Sequence, residues 1–376
     1  MSPGVAERTQ PVVATQQHIA FYLPQFHPIP ENDEWWGPGF TEWTNVVQAR
    51  PRFRGHHQPQ IPADLGFYDL RLPEVREAQA DLARKFGIDA FCYYHYWFGD
   101  GRRLLERPFA DVLATGTPDF PFCLAWANEN WTRRWDGNAR SVLAHQDYAV
   151  DPRPHAEWLA RAFRDERYVR FEGRPLFLVY RASELPDPLA TTRLWREEAR
   201  RAGVGEIFLC RMESFPTEKT DPGRLGFDAA VEFAPDWACL PQGVRQLRSR
   251  LMWLTPRGRA RGTYEAYDYS GLKARMLAKP DPPYLRFPCV TPGWDNSSRR
   301  KMSATVLTDA TPDAYAAWVT AASRRAPGFP ERDSLVFVNA WNEWGEGAHL
   351  EPDLTWGRAF LEAHRRGRDA VSPLEP

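Results

Sequence analysis

The chain has 376 residues, a formal net charge of −1 and 14% aromatic side chains, 16 of them Trp. That length holds one large domain or two ordinary ones, and the near-zero charge supplies no electrostatic pull toward nucleic acid or an anionic membrane surface. No stretch approaches the ~20 apolar residues of a membrane span, and residues 1–17 lack the basic-then-apolar pattern of a secretory signal.

Predicted elements run as an alternation from end to end. Apolar, strand-like runs fall at residues 18–26, 89–98, 122–128, 175–180, 206–212, 229–233, 285–291 and 335–341. Most are continuous rather than alternating, as expected of parallel strands covered on both faces. Helix-period stretches at 73–86, 105–114, 154–164, 189–202, 271–278, 312–325 and 355–366 lie between and after them. In the first, Val75, Ala78, Leu82 and Phe86 share one face, with Pro73 at the start and Gly87 past the end. Eight strands with intervening helices predict a single (β/α)8 TIM barrel over residues 17–369, with disordered tails at 1–16 and 370–376. Two long insertions interrupt it: the β1–α1 connection, residues 28–72, and the β6–α6 connection, residues 234–269. An open doubly wound sheet is the second fold reading; no GxGxxG turn follows the first strand to support it.

Cys92, Cys123, Cys210, Cys239 and Cys289 form no CxxC or Cys/His metal spacing. An odd number of thiols, four of them in apolar runs, suits a reducing compartment. A cytoplasmic protein with no cofactor and no metal is expected. The abundance of Trp fits a cleft that stacks sugar rings as well as it fits a barrel core with surface indoles; composition does not separate the two.

Strand ends separate them better, because the C-terminal ends of barrel strands converge on one site. Strand one ends with Tyr22 and Gln25, and its insertion carries Trp43. Strand two ends in the run Tyr93–Phe98, whose alternate members Tyr94 and Tyr96 are taken to face the lumen. Strand three ends Trp126-Ala127-Asn128-Glu129, with Arg133 close behind. Glu232 ends strand six and Trp294 strand seven. Strand eight closes with Trp341-Asn342-Glu343-Trp344-Gly345-Glu346-Gly347. Aromatic faces bind the C–H face of a pyranose, while amides and carboxylates bind its hydroxyls. Tyr22, Gln25, Trp43, Tyr94, Tyr96, Trp126, Asn128, Glu129, Arg133, Glu232, Trp294, Trp341 and Asn342 are therefore expected to bind a carbohydrate substrate, and Glu343 and Glu346 to be catalytic. Breaking a glycosidic bond needs two carboxyl groups on opposite duties, and Glu343 and Glu346 present both from one loop. An ordinary Glu-x-x-Glu is a solvated helix face or a cap. Aromatic and amide neighbours at a strand end favour catalysis here. Arg133 and Arg134 either bind substrate or bridge to Asp136; His95 is either a ligand contact or a wall residue; His27, His56 and His57 read as loop structure.

Three strings carry a resemblance. Residues 20–28 (AFYLPQFHP) with Trp35-Trp36-Gly37 and 39–45 (GFTEWTN), residues 126–132 (WANENWT) and residues 341–347 (WNEWGEG) are similar to those of WbsX-type proteins related to glycoside hydrolase family 99. The likeness runs over about residues 18–366. It implies a (β/α)8 barrel in or near polysaccharide biosynthesis or degradation. Characterised family 99 enzymes are endo-acting mannosidases and mannanases, retaining and metal-independent. By that likeness Glu343 would deprotonate the sugar 2-OH, giving a 1,2-anhydro sugar, and Glu346 would be the general acid and then base. The WbsX-type branch, which the chain resembles more closely, carries the name glycosyltransferase because its genes lie among those for surface-polysaccharide assembly.

The expected function is a retaining glycoside hydrolase acting on a mannose-type or related polysaccharide. A glycosyltransferase or transglycosylase of surface polysaccharide (O-antigen or lipopolysaccharide) assembly is the second reading. A nucleotide-sugar transferase needs a place for a diphosphate, and neither a second domain nor a DxD at a strand end is seen in the sequence. A non-enzymatic carbohydrate-binding relic would be expected to have lost the Glu pair.

Overall fold

Runs buried on both faces become the wall of a closed parallel barrel. The computed structural model describes residues 15–371 except 100, 134–137, 242–262 and 329–331, with backbone alone at 132, 133 and 138–141. The barrel strands are β1 (Gln16–Tyr22), β2 (Ala90–Trp97), β3 (Phe122–Trp126), β4 (Arg174–Val179), β5 (Phe208–Glu213), β6 (Ala229–Glu232), β7 and β8 (Ser334–Val338). β7 is split at Pro288 into Arg286–Phe287, which pairs with β6, and Cys289–Val290, which pairs with β8. With β1 paired to both β2 and β8, the ring closes, and every neighbouring pair is parallel. The chain is thus a TIM barrel, as its sequence pattern predicts.

The helices are α1 (Pro30–Trp36) and α2 (Glu42–Gln48), which belong to the first insertion at the C-terminal strand ends, and α3 (Pro73–Lys85), α4 (Arg107–Thr115), α5 (Arg153–Phe163), α6 (Pro188–Arg201), α7 (Tyr269–Leu277), α8 (Pro312–Arg325) and α9 (Ala359–Asp369), which follow the strands around the barrel. None is long and apolar enough to cross a membrane. Three features correct the sequence reading. The first insertion contains α1 and α2, seven-residue helices too short to show a 3.6-residue period. The last helix starts at Ala359, because the Asp353 carboxylate takes the N–H groups of Thr355 and Trp356 and holds those residues in a turn. Finally, Gln16, assigned to the tail, is the first residue of β1, and its amide donates to Ser323 O and Ser334 Oγ. The second insertion contributes Tyr264–Asp268, which pairs in parallel with Ala304–Thr308 beside the β7 end of the barrel. Five buried free cysteines are distributed through the structure.

Strand alternation divides β2 cleanly. Tyr94 lines the cleft and stacks on Phe21 of the neighbouring β1, whereas His95 lies flat on Trp158 of α5, its ring 4.5 Å away and 1° from parallel. His95 Nε2 meets His155 Nε2 at 3.0 Å, which makes His95 a wall residue. A second buried histidine pair, His18 of β1 and His364 of α9 at 3.1 Å, ties the last helix to the first strand, with Tyr315 on the far ring nitrogen.

Burial lowers the pKa of His95 and of His364 to about 3 and pushes those of His18 and His155 well down too. Unfolded histidine titrates near 6.5, so between that value and the folded ones the unfolded chain binds more protons. Their contribution to stability is intact above about pH 6.5 and is lost progressively as pH falls below it. The urea unfolding midpoint should fall steadily from about pH 7 to about pH 5, and His364→Gln should flatten that dependence; an unchanged slope would remove His364 from the account.

Candidate active site

The C-terminal strand ends open onto a cleft of about 410 Å³. Gln25, Tyr94, Tyr96, Glu129, Trp294, Glu343 and Glu346, all expected from the sequence, line it together. Trp131, Tyr180, Phe215, Phe233, Trp237, Asn296, Arg299 and Arg300 join them. Trp294 and Trp237 meet edge to face at 5.3 Å and give the cleft an indole wall.

The loop after β8 is built to turn two carboxylates inward. Asn342 Oδ1 accepts from the Leu23 N–H at 2.7 Å while its Nδ2 donates to Leu23 O at 3.0 Å, so the loop is stitched to the end of β1. Asn342 and Glu343 then pair antiparallel with Ala348 and His349, enclosing a single 3-10 turn, Trp344–Glu346. Trp344 stacks on His349 at 3.7 Å and donates Nε1 to Glu351 Oε2 at 2.7 Å. Glu351 also accepts from Tyr68 Oη and Gln79 Nε2. Ser298 Oγ donates to Gly345 O, and the Asp295 N–H donates to Glu346 O, fixing the loop to the segment after β7.

That segment supplies Arg299, a buried guanidinium with three carboxylates around it. Nε donates to Glu42 Oε1 at 2.8 Å and Nη2 to Glu343 Oε2 at 2.9 Å, and Nη1 lies 2.8 Å from Glu346 Oε1. Glu42 comes from the first turn of α2, whose own N–H donates to Gln25 O at the end of β1. The Arg299 segment is held in turn by Arg52, which donates to the carbonyls of Thr263, Ser297 and Arg300. Asp295 accepts from His56 Nε2 and Gln58 Nε2. Because His56 Nδ1 accepts the Arg52 N–H, the proton on that ring sits on Nε2.

Burial pushes the Glu343 carboxyl up to about 8 and also raises Glu346; Arg299 opposes both shifts, and Glu42 reinforces them. Burial alone would lower Arg299, but Glu42, Glu343 and Glu346 keep it firmly charged. The two reactive-looking carboxylates differ in access: the Glu343 side chain is 8% exposed and that of Glu346 24%.

Other sequence candidates stand elsewhere. Tyr22 donates its hydroxyl to Gln79 of α3 and sits in the helix layer. Trp126 packs edge-on against His155 and Trp195, also on the helix side, and donates to Trp97 O. Trp43 is buried among Phe26, Tyr68 and Trp344, and Trp341 is buried against Phe91. Asn128 holds Arg181 by both its backbone groups, as Asn342 holds Leu23, so both amides are spent on protein. Glu232 turns away from the lumen to Lys279 at 2.8 Å and lines a separate cavity of about 270 Å³. These seven residues are corrected from substrate contacts to framework, in each case because their polar or aromatic groups are occupied by the fold. The side chain of Arg133 lies outside the described residues. Glu129 reaches the cleft but also pairs with Arg181 at 2.6 Å. Glu42 and Arg299 were missed. Their signals were a charged residue in the string 39–45 and another just past the end of strand seven.

Among solved structures, a glycoside hydrolase-like protein matches over 97% of this chain and 96% of its own, with a TM-score of 0.56 and 15% identity. A GH99 endo-alpha-mannosidase from Bacteroides thetaiotaomicron, in complex with bis-tris propane, matches over 94% of this chain and 96% of its own, with a TM-score of 0.55 and 14% identity. At these identities the likeness is one of fold. In sequence, proteins called WxcX from two strains of Xanthomonas campestris pv. campestris are 46% identical over 350 residues, 93% of this chain. The chain spans about half the length of these curated relatives, 49% in each case. The family model described as "Glycosyltransferase WbsX" matches residues 18–364, and the chain belongs to that family.

Proposed function

We propose that the chain is a retaining, glycoside hydrolase-like enzyme that uses Glu343 and Glu346 on a mannose-type or related oligo- or polysaccharide. The observation that carries this reading is the single buried guanidinium bonded to both carboxylates at the floor of an aromatic cleft. Two bonds from one guanidinium set the two carboxylates side by side in one cleft, as an acid and a base that act on the same sugar must be.

Charge supports the division of labour. Three carboxylates around one cation would leave a buried surplus of negative charge, so the Glu343/Glu346 pair keeps a proton into the neutral range. One member is then an acid, the other a base, which is what protonating a leaving oxygen while assisting at the 2-OH requires. Glu346, the more accessible, is the acid toward the leaving group and the base toward the incoming acceptor. Glu343, buried beneath it, takes the 2-OH proton; the sugar's O2 then bonds to the anomeric carbon as the glycosidic bond breaks and the leaving oxygen takes the proton of Glu346, which leaves a 1,2-anhydro sugar. Gln25 Nε2 and Trp294 Nε1 are buried donors that bond to no acceptor among the described residues, which suits them to sugar hydroxyls. The name of one structural relative, an endo-alpha-mannosidase, supports the choice of substrate class.

The family description favours a second reading. An intermediate opened by a sugar hydroxyl instead of water gives transfer from the same residues, placing the chain in surface-polysaccharide assembly. Purified protein incubated with mannose-containing oligosaccharides and with nucleotide sugars, the products followed by NMR, separates the two outcomes. Glu346→Gln and Glu343→Gln should each lower turnover about 10²- to 10⁴-fold; turnover at the parent rate in either variant would sink the assignment.

Loss of the shared proton sets the alkaline limit. The two carboxylates titrate as a unit through Arg299, so the step that burial pushes up to about 8 at Glu343 is the pair's loss of its last proton; above it none is left for Glu346 to deliver, and kcat/KM should fall as pH rises through about that value. A profile flat across that interval would contradict the proton-sharing pair.

Gly345 lets the loop close on its partners. A Cβ there would stand 1.7 Å from Glu42 Oε1 and 2.7 Å from Arg299 Nε. Gly345→Ala must displace the Glu42–Arg299 pair, so it should cost about 1–3 kcal/mol of stability and most of the turnover; thermal unfolding and a turnover assay check both, and wild-type values in both would show that the loop has slack the packing denies.

A further inference from the structure

We propose that Glu42 is a positioning residue: by occupying one edge of the Arg299 guanidinium, it keeps a proton on the Glu343/Glu346 pair. The inference rests on the two-carboxylate reading of the site.

Glu42 is fully buried and does not line the cleft, so it has no route to a sugar. Its one bonded oxygen goes to Arg299 Nε, and the other has no hydrogen-bond partner among the described residues. Nothing in that arrangement serves binding. What it does is divide the positive charge on which Glu343 and Glu346 depend. A guanidinium has one edge at Nε and two amino groups; here each of the three faces a different carboxylate. Were Glu42 neutral, two carboxylates would face one whole cation, and only burial and their own repulsion would remain to hold a proton between them. With Glu42 charged, the surplus is relieved by holding a proton on one of the pair.

The other groups facing the pair do not supply this effect. From β2 come the phenols of Tyr94 and Tyr96, and from the end of β4 comes Tyr180; burial pushes all three well above their ordinary range, so they stay neutral. Glu129, from the end of β3, is bonded to a different cation, Arg181, which also meets Glu184 and Glu218. Arg300, beside Arg299, lowers Glu346 and so acts in the opposite sense to Glu42. Glu42 is the carboxylate in direct contact with the shared cation that takes no other part. Its place also explains why α2 is anchored so tightly to the end of β1, through the Glu42 N–H on Gln25 O.

The test is a carboxyl titration that needs no substrate. Full-length protein labelled with 13C at the glutamate side-chain carboxyl is titrated by NMR, and the resonances of Glu343 and Glu346 are assigned by their loss in Glu343→Gln and Glu346→Gln. In the parent protein one of the two should titrate well above the ordinary glutamate range. Glu42→Gln should lower that midpoint by about one pH unit or more, a tenfold or greater loss of proton affinity. Arg299→Lys, which replaces a three-way fork by a compact ammonium, should raise it. A midpoint unmoved in Glu42→Gln, or the same direction of shift in both variants, overturns the proposal; a general loosening of the loop gives the latter. If Glu42→Gln does not fold, Glu42→Asp takes its place. It should keep the midpoint within a few tenths of a unit of the parent while Arg299→Lys still raises it; a large shift in the aspartate variant overturns the proposal. Because the readout is protonation and not turnover, an inactive protein that titrates as described would refute the hydrolase reading alone.

Discussion

The structure of the cleft depends on keeping Arg299 charged in a place that water barely reaches. A buried guanidinium without acceptors is costly, and removing one partner of a buried pair costs about 3–5 kcal/mol. The barrel meets that demand by converging three elements on one group: α2 with Glu42, the β8 loop with Glu343 and Glu346, and the β7 segment with the arginine itself. Each then has to be held from behind. Arg52 grips the carbonyls of the β7 segment, Asn342 stitches the β8 loop to Leu23, and Glu351 takes the Trp344 indole from below. The first insertion, from which Arg52, His56 and Gln58 come, is therefore part of the active-site frame as well as a cover over it.

Two asparagines show how one device is used twice. Asn128 and Asn342 follow β3 and β8, and each bonds both backbone groups of a residue just past a neighbouring strand, Arg181 and Leu23. A side-chain amide has the same donor and acceptor as a peptide, so it extends the sheet where the strands splay apart and the ladder stops. The strand ends that aim side chains into the cleft are kept in register by amides placed beside those side chains.

Much of this was legible in the sequence. The barrel was, because continuous apolar runs and helix-period stretches alternate over the whole chain. The catalytic candidates were, because Glu343 and Glu346 end a strand among aromatics. The error lay in applying the two-residue alternation to strand two and not to the ends of the other strands. Tyr22, Trp126 and Glu232 sit at strand ends too, but the two-residue alternation sends them to the helix layer. Asn128 and Asn342 lie close to the cleft and are spent on backbone, which no spacing rule reveals. Glu42 and Arg299 escaped because their significance is a distance of 2.8 Å between residues 257 positions apart. A carboxylate next to Trp43 in a seven-residue helix carries no such mark in the sequence.

The same geometry bears on how the two glutamates would divide their work in the proposed mechanism. A group that delivers a proton to a leaving oxygen and later takes one from an acceptor must exchange with something outside the protein. Glu346, a quarter exposed, is open to that exchange, whereas Glu343 is nearly sealed beneath it. Both hang from one guanidinium, so a proton lost by one alters the affinity of the other through a shared cation, with no need for the carboxylates to touch. In the mechanism we propose, Glu346 can therefore change state during turnover while Glu343 responds in place. On that proposal the acceptor that arrives at Glu346, water or a sugar hydroxyl, would decide between hydrolysis and transfer without any change in the residues beneath it.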